Sequence, residues 1–247
     1  HVNGAWLRET EIPSDRALVG TFVQLRDRAE EDVRNLIEDL AKSEHPSGSD
    51  EEKIGAMYRS FMDEERVTAL GAEPLSRLLS EVEAISDAED LVRTSARLGR
   101  GGSEGLFGYY AAPDAGNPDR VLLYMSQGGL GLPDESYYRE ERFAEVRDAY
   151  RSYLTDVFTL VGNASPAEDA DAVVRLETRL AGLHWDRVTL RDPQKTYNLY
   201  TNEKATSVFP HFAVWSEATG VIEAARAELV VGNPDFLSGV GPLLAEV

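Results

Sequence analysis

The sequence predicts a mainly α-helical protein with a small β-hairpin near residues 105–126. Three observations predict this class: apolar residues recur at steps of three and four, helix-capping residues stand at the breaks, and short aromatic and branched runs appear near the middle. The 247 residues, 42% of them hydrophobic, are enough to bury one sizeable core or two small ones.

Two helices are predicted near the start of the chain. Between Gly20 and Ser43 the apolar residues follow the helical spacing of one amphipathic face. Ser49, with Glu52 three residues later, forms a capping box and begins a second helix. We expect the apolar stripe of this second helix to be buried; it consists of Ile54, Met57, Tyr58, Phe61 and Met62.

Two further helices are predicted before residue 101. Pro74 suits the first turn of a third helix, which we expect to end near Ile85. Ser86 with Glu89 repeats the capping box, and this fourth helix ends at the sequence GRGG. Residues 20–100 are therefore predicted to be helical, apart from short breaks.

The spacing of the apolar residues changes from a helical pattern to a strand pattern in the middle of the chain. The runs EGLFGYYAA and DRVLLYMSQ, separated by PDAGNP, predict antiparallel strands near 105–112 and 120–126. The segment GGLGLPDESYY, residues 128–138, follows directly and lacks the lysine of a phosphate-binding loop. We interpret it as a structural joint, in which Leu130 and Leu132 alternate into a core and the two tyrosines pack at the start of the next helix.

Helical spacing returns in the second half of the chain. A helix is predicted over 139–161 with Gly162 just after its end, and SPAE at 165–168 has the residues that begin another helix. Beyond Trp185 we expect a turn-rich connector and then shorter helices. The stretch 221–231 is ambiguous between a helix and a short strand.

Composition excludes several classes of protein. The chain has 44 acidic and 25 basic residues and a formal net charge of −19, which repels nucleic acid and anionic membranes. No run is long and apolar enough for a membrane helix. The absence of cysteine excludes disulfides, thiolate zinc ligands and a cysteine nucleophile.

The sequence contains no self-contained catalytic motif. No two histidines have the spacing that places two zinc ligands on one helix face; the four are His1, His45, His184 and His211. We interpret His184 as a histidine at a helix C-terminus, favoured by the helix dipole. The serine of GRGGSEG lacks the spacing of a nucleophile elbow, and adjacent glutamates fall on solvated helix faces. We therefore predict no catalytic and no metal-binding residue in this chain.

Three ordered segments carry a family resemblance. They are NGAWLRETEIPSDRALVGTFVQLRDRAEEDVRNLI, LYMSQGGLGLPDESYY and HWDRVTLRDPQKTYN. The first resembles the N-terminal signature of the neprilysin and endothelin-converting-enzyme family of zinc metalloendopeptidases, in its bacterial, cysteine-free branch. The second is similar to that family's Gln-x-x-Leu-Gly-Leu-Pro-x-x-x-Tyr-Tyr segment, and the third to its later connector.

The resemblance implies that residues 1–247 are the helical N-terminal portion of a longer metallopeptidase. In such a parent two histidines and a glutamate hold zinc and lie beyond this chain, which itself is expected to bind no zinc and to be inactive. The implied role is a non-catalytic cover of the substrate cavity. The implied partners are small peptide substrates and the catalytic domain of the same polypeptide. The implied location is secreted or at the cell surface, with a cytoplasmic one left open.

The resemblance also implies a few substrate contacts. The segment after Ile-Pro lines the primed side of the cleft in the family, which carries over onto Phe22, Val23 and Arg26. Arg26 would meet a peptide carbonyl or carboxylate; the alternative is a surface arginine paired with Glu30, one turn on. For Phe22 the alternative is a place in the hydrophobic core. The alternative for the whole chain is a stand-alone helical binding module without catalytic activity.

Overall fold

The computed structural model describes residues 3–103, 105–221 and 227–246. Backbone contacts divide the chain into two compact units, His1–Gly71 and Ala72–Val247. None of the helices in the described ranges is long and apolar enough to cross a membrane.

The first unit is entirely helical in its regular structure. Its helices are α1 (Gly4–Glu9), α2 (Thr21–Lys42), α3 (Asp50–Met62) and α4 (Glu64–Leu70). The two helices predicted for this region are confirmed as α2 and α3. The predicted cap of α3 is present too, because the Ser49 hydroxyl accepts a hydrogen bond from the Glu52 N–H at 3.2 Å. The Glu52 carboxylate in turn accepts from the Gly48 N–H at 2.7 Å.

Helices α2 and α3 approach closely at one glycine. A Cβ atom on Gly55 would lie 2.8 Å from the backbone oxygen of Leu40, so only glycine fits there. Nearby, the Arg59 guanidinium donates to the backbone oxygen of Ala41 at 2.8 Å and satisfies a carbonyl in the last turn of α2. These two contacts fix the hairpin of α2 and α3.

The expected burial of the α3 apolar stripe is wrong. Met57 is 76% exposed and Phe61 is 81% exposed, and Ile54 and Met62 are exposed as well. On α2, Phe22 is 87% exposed and Leu36 is 58% exposed. Each helix has apolar residues on more of its circumference than one neighbouring helix can cover.

The second unit contains nine described helices and a sheet. The helices are α5 (Ser76–Glu83), α6 (Ala88–Arg100), α7 (Ser136–Arg139), α8 (Ala144–Leu160), α9 (Pro166–Ala181), α10 (Pro193–Thr196), α11 (Asn202–Val208), α12 (Phe212–Ala218) and α13 (Pro234–Leu244). Short 3-10 turns cover Glu73–Leu75, Glu141–Phe143 and Thr189–Arg191. The prediction of a mainly α protein is confirmed.

The sheet is larger than the predicted hairpin. Its strands are β1 (Phe107–Asp114), β2 (Asn117–Gln127), β3 (Leu199–Thr201) and β4 (Glu228–Val231), in the order β1-β2-β4-β3. The hairpin is confirmed as antiparallel β1 and β2. Strand β4 pairs parallel with β2 and antiparallel with β3. Strand β3 corrects the expectation of a turn-rich connector and shorter helices after Trp185, in which no strand was predicted at Leu199–Thr201. The ambiguous stretch 221–231 ends as strand β4, and its residues 222–226 lie outside the described ranges.

Several predicted helix starts need correction. The cap of α6 is Asp87, whose carboxylate accepts from the Asp90 N–H at 2.8 Å, and Ser86 hydrogen-bonds the Asp90 side chain instead. Pro74 lies in a 3-10 turn ahead of α5. Ser165 precedes α9 without a side-chain cap bond. In each case several capping residues adjoin, and tertiary geometry selects among them.

The core of the second unit is aromatic. Phe107 on β1 meets Phe209, Trp215 and Phe236 edge to face, with ring centroids 5.2–5.7 Å apart. All three residues of β4 from Leu229 to Val231 are at most 1% exposed. A strand buried on both faces, between two neighbours, is typical of the centre of a sheet.

Candidate functional site

The residues implied to contact substrate all lie in the first two turns of α2. Phe22 and Arg26 are four residues apart and therefore lie on one side of the helix. Phe22 is almost fully exposed, so its alternative as a core residue does not hold for this chain. Val23 is half-buried.

Arg26 forms the predicted pairing on the helix surface. Its Nε lies 3.3 Å from Oε1 of Glu30, and its Nη2 lies 3.5 Å from Oδ1 of Asp27. The Arg26 side chain is 59% exposed, so exposed ion pairing of this kind contributes little stability. The guanidinium has five N–H donors, which leaves donors for a further acceptor such as a peptide carbonyl or carboxylate.

The start of α2 is held by a second arginine. Arg16, in the segment before the helix, donates to the Asp27 carboxylate. This hydrogen bond lowers the pKa of Asp27 below its usual value. The ion pair connects the loop before α2 to the second turn of the helix, next to Arg26.

An apolar groove of about 440 Å³ begins beside Arg26. Its walls include Ala29, Val33 and Ile37 of α2 and the ring of Tyr58 of α3. An apolar trough with a guanidinium at one side can take an apolar side chain and hydrogen-bond a neighbouring polar group. The structure thus brings Arg26 together with an apolar surface that the sequence did not reveal.

The joint predicted for residues 128–138 is built around a half-buried carboxylate. The Tyr138 hydroxyl donates to Oε2 of Glu177 at 2.7 Å and accepts from the Leu132 N–H at 3.0 Å. The Tyr150 hydroxyl donates to Oε1 of Glu177 at 3.0 Å. Burial raises the pKa of Glu177. A Cβ on Gly131 would lie 2.0 Å from the Tyr150 hydroxyl, which explains one of the glycines of this segment.

The role of Glu177 was not predicted, although the sequence contains a signal for its inward position. Glu177 lies four residues after Val173 and three before Leu180, which places it on the inward face of α9 among apolar residues. An acidic side chain on the inward face of a helix is withdrawn from water. A carboxylate withdrawn from water needs hydrogen-bond donors. Tyr138 of the joint segment and Tyr150 of α8 supply them.

The described residues bring no three His, Asp or Glu side chains together in a way that could hold a metal ion.

His184 has a hydrogen-bonding role that was not predicted. The ring Nε2 of His184 lies 3.0 Å from the backbone oxygen of Gly128, and burial lowers the pKa of the imidazole. His184 thus follows the C-terminus of α9, as predicted, and in addition joins the connector after α9 to the segment after β2.

Comparison with known sequences links the whole chain to one family. A model described as peptidase family M13 matches residues 1–247. Human endothelin-converting enzyme-like 1 is 26% identical over 226 residues, which cover 84% of this chain and 29% of the relative. Neprilysin-3 of Drosophila melanogaster is 25% identical over 266 residues, covering 98% of this chain and 33% of the relative.

Solved structures give the same result for the fold. The open-state cryo-EM structure of Mycobacterium tuberculosis zinc metalloprotease Zmp1 is 41% identical, with a TM-score of 0.90, and the match covers 100% of this chain and 39% of that one. The crystal structure of Zmp1 in complex with an inhibitor is also 41% identical, with a TM-score of 0.89 and 38% of that chain covered. The chain therefore spans about a third of the length of the relatives it matches.

Proposed function

This chain belongs to peptidase family M13, and we propose that it forms the substrate-enclosing N-terminal part of a zinc-dependent endopeptidase that cleaves small peptides. The observation that carries this proposal is the match of the family over residues 1–247, together with 41% identity to a zinc metalloprotease of which the chain spans 39%. Zinc is proposed for the parent polypeptide outside these residues, because the described part of the chain offers no set of zinc ligands.

The exposed apolar residues of the first unit support a second part of the proposal. Phe22, Met57 and Phe61 are each more than three-quarters exposed. Large exposed apolar side chains grouped on two adjacent helices mark a surface that another protein part covers. We assign that part to the catalytic domain of the same polypeptide.

Phe22, Val23 and Arg26 are proposed to contact the peptide on its primed side. Phe22 offers an exposed ring for an apolar side chain, and Val23 adds a half-buried apolar edge. Arg26 donates to a carbonyl or terminal carboxylate of the peptide, which then competes with Glu30 for the guanidinium. The apolar groove beside Arg26 supports this assignment because it places apolar and polar contacts side by side.

The test compares two arginines of α2 in the parent enzyme. Arg26→Ala removes the proposed contact, and Arg28→Ala is the matched control, because Arg28 is exposed on the same helix. Loss of one charge-assisted hydrogen bond corresponds to about a tenfold or larger fall in kcat/KM. We expect that fall for peptides with short primed-side tails in Arg26→Ala and an unchanged value in Arg28→Ala, measured by steady-state cleavage assays.

Three results would contradict parts of the proposal. An unchanged kcat/KM in Arg26→Ala assigns Arg26 to the surface pair with Glu30. A stop codon directly after codon 247 in the gene, in place of an in-frame His-Glu-x-x-His motif further on, would favour a stand-alone helical binding module. Peptidase activity of the 247-residue chain with one tightly bound zinc would overturn the assignment of the metal to the rest of the polypeptide.

A further inference from the structure

A second cavity lies in the unit Ala72–Val247 and plays no part in the site on α2. It is a cleft of about 870 Å³ between the C-terminal half of α6, the start of β1, the segment after β2 and the connector after α9. Binding pockets for small molecules and peptide side chains have volumes of about 300–1,000 Å³. The cleft is therefore large enough to hold a ligand.

The walls of the cleft are fixed by hydrogen bonds within the protein. The Gln127 side chain donates to the backbone oxygen of Trp185 at 3.0 Å and accepts from the Trp185 N–H at 2.9 Å. The Asn233 amide also donates to Gln127 at 2.7 Å. His184, which bonds Gly128, lines the same wall. A cleft whose loops are tied in this way is preformed, which lowers the entropic cost of binding.

The lining combines aromatic rings with two cations. Tyr109 and Trp215 meet edge to face with centroids 5.3 Å apart, and Trp185 stands on the connector wall. Arg187 pairs with Asp134 at 3.1 Å, and Arg100 packs over Gly220. Aromatic side chains with a few placed polar groups are typical of peptide and ligand pockets. Because Asp134 also lines the cleft and neutralises Arg187, the preference for a ligand with a carboxylate rests on Arg100, although the whole chain is strongly acidic.

The start of an edge strand lines the cleft as well. In the described sheet β1 is an outer strand, paired with β2 alone, and its residues Phe107–Tyr109 lie in the cleft wall. Alternate N–H and C=O groups of an edge strand point away from its single neighbour and can pair with an added strand. Extended peptides bind such edges through main-chain hydrogen bonds, with side chains in adjacent pockets.

We infer that this cleft binds a short extended peptide with apolar or aromatic side chains and one carboxylate, at a subsite separate from the α2 site. The choice of a peptide rests in part on the proposed peptidase function. The edge of β1 pairs with the peptide backbone, the rings of Tyr109 and Trp185 contact its side chains, and Arg100 meets its carboxylate.

The test uses the intrinsic fluorescence of the 247-residue chain. The chain has three tryptophans, two of which, Trp185 and Trp215, line the cleft, so Trp6→Phe leaves only the reporters of the cleft. The probe is acetyl-Leu-Phe-Leu-Asp amide, titrated into this variant without metal. We expect a saturable change in tryptophan emission, and binding about tenfold or more weaker for the backbone N-methylated peptide, which cannot pair with a strand.

Two substitutions complete the test. A Cβ on Gly99 has no heavy atom within 4 Å, so the side chain of Gly99→Leu starts in open space on the cleft wall. We expect it to weaken binding about tenfold or more, because the side chain occupies ligand volume. Gly4→Leu is the matched helical control outside the cleft and leaves binding unchanged. Arg100→Glu weakens binding of the Asp peptide and strengthens binding of the same peptide with Lys in place of Asp.

Absence of a fluorescence change, or equal binding by the Gly99→Leu chain, overturns the inference. Equal binding of the N-methylated peptide overturns the pairing with β1. Because no metal or turnover enters the measurement, its failure leaves the peptidase proposal standing if the parent enzyme is active. An inactive parent with intact peptide binding would overturn the proposed function alone.

Discussion

Asp114 at the tip of the hairpin is a buried carboxylate that accepts three hydrogen bonds. It is 1% exposed and accepts from the Tyr197 hydroxyl at 2.6 Å, the Arg120 Nε at 2.7 Å and the Gly116 N–H at 2.8 Å. The hydrogen bond from Tyr197 is the largest cause that lowers the pKa of Asp114, to about 2. Arg120 also pairs with Glu228 of β4, so the cluster ties the hairpin to the middle of the sheet.

We predict that Asp114→Asn lowers the unfolding temperature by several degrees at pH 7. Because the folded-state pKa lies below the unfolded value of about 3.9, the ionised carboxylate stabilises the fold above about pH 4. That contribution is lost as the pH falls through about 2. The difference between wild type and Asp114→Asn, followed by circular dichroism melts, is thus constant above about pH 5 and shrinks toward pH 2.

The control for this prediction is Asp119→Asn, an exposed acid on the other strand of the same hairpin, which leaves the unfolding temperature unchanged. A difference between wild type and Asp114→Asn that grows as the pH falls would contradict the assigned sign. A difference that is equal at pH 7 and pH 2 would show that ionisation of Asp114 plays no part.

Such residues are where sequence-based prediction fails. Asp114 stands in the turn-like run PDAGNP, which suggests a solvated acid, and the spacing of Glu177 indicates the inward face of α9 but not its hydrogen-bond partners. Their burial depends on Tyr197 and Tyr138, which lie 83 and 39 residues away along the chain. No local pattern records such partners. The Arg26 and Glu30 pair, in contrast, follows from spacing alone and was predicted as an alternative.

At the scale of elements, helix periodicity located α2, α3, α6, α8 and α9, and the aromatic runs located the hairpin of β1 and β2. Strands β3 and β4 were missed or left ambiguous because each has only three or four residues. A strand that short has no measurable period, and its identity comes from the neighbours that it pairs with. The burial of apolar stripes was also misjudged, since periodicity gives the face of a helix but not what covers it.

We predict that Phe61→Ser has different effects in the chain and in the parent. Phe61 is 81% exposed on α3, so in the 247-residue chain the unfolding free energy changes by less than about 0.5 kcal/mol. If the catalytic domain covers this face, the same substitution lowers the stability of the parent by about 2 kcal/mol, the value of one buried phenylalanine ring. Urea denaturation of both proteins measures the two values.

Lys53→Ser serves as the control on the same helix, because Lys53 is exposed and its pair with Asp50 is on the surface. It should have little effect in either protein. Equal, small effects of Phe61→Ser in the chain and in the parent would mean that the apolar face of α3 stays uncovered.

For the whole molecule the net charge of −19 has a direct consequence. Like charges repel more strongly in the compact state than in the unfolded chain. Raising the sodium chloride concentration from about 10 mM to about 100 mM shortens the Debye length from about 30 Å to about 10 Å. We therefore predict that the unfolding temperature rises by a few degrees over this range, as followed by differential scanning calorimetry.

Sodium fluoride is the control for anion-specific effects and should give the same rise. An unfolding temperature that falls with salt would mean that the ion pairs on the surface outweigh the general repulsion.

The order of the sheet constrains how the protein is made. Strand β4 lies between β2 and β3, yet it is the last strand of the described sheet in the sequence, more than a hundred residues after its partner β2. During synthesis β2 and β3 leave the ribosome with no strand between them. Until Val231 has emerged, one side of the hairpin remains an open edge that can pair with other chains. Completion of the sheet is thus a late, long-range step, and agents that protect open strand edges should act on this protein before that step.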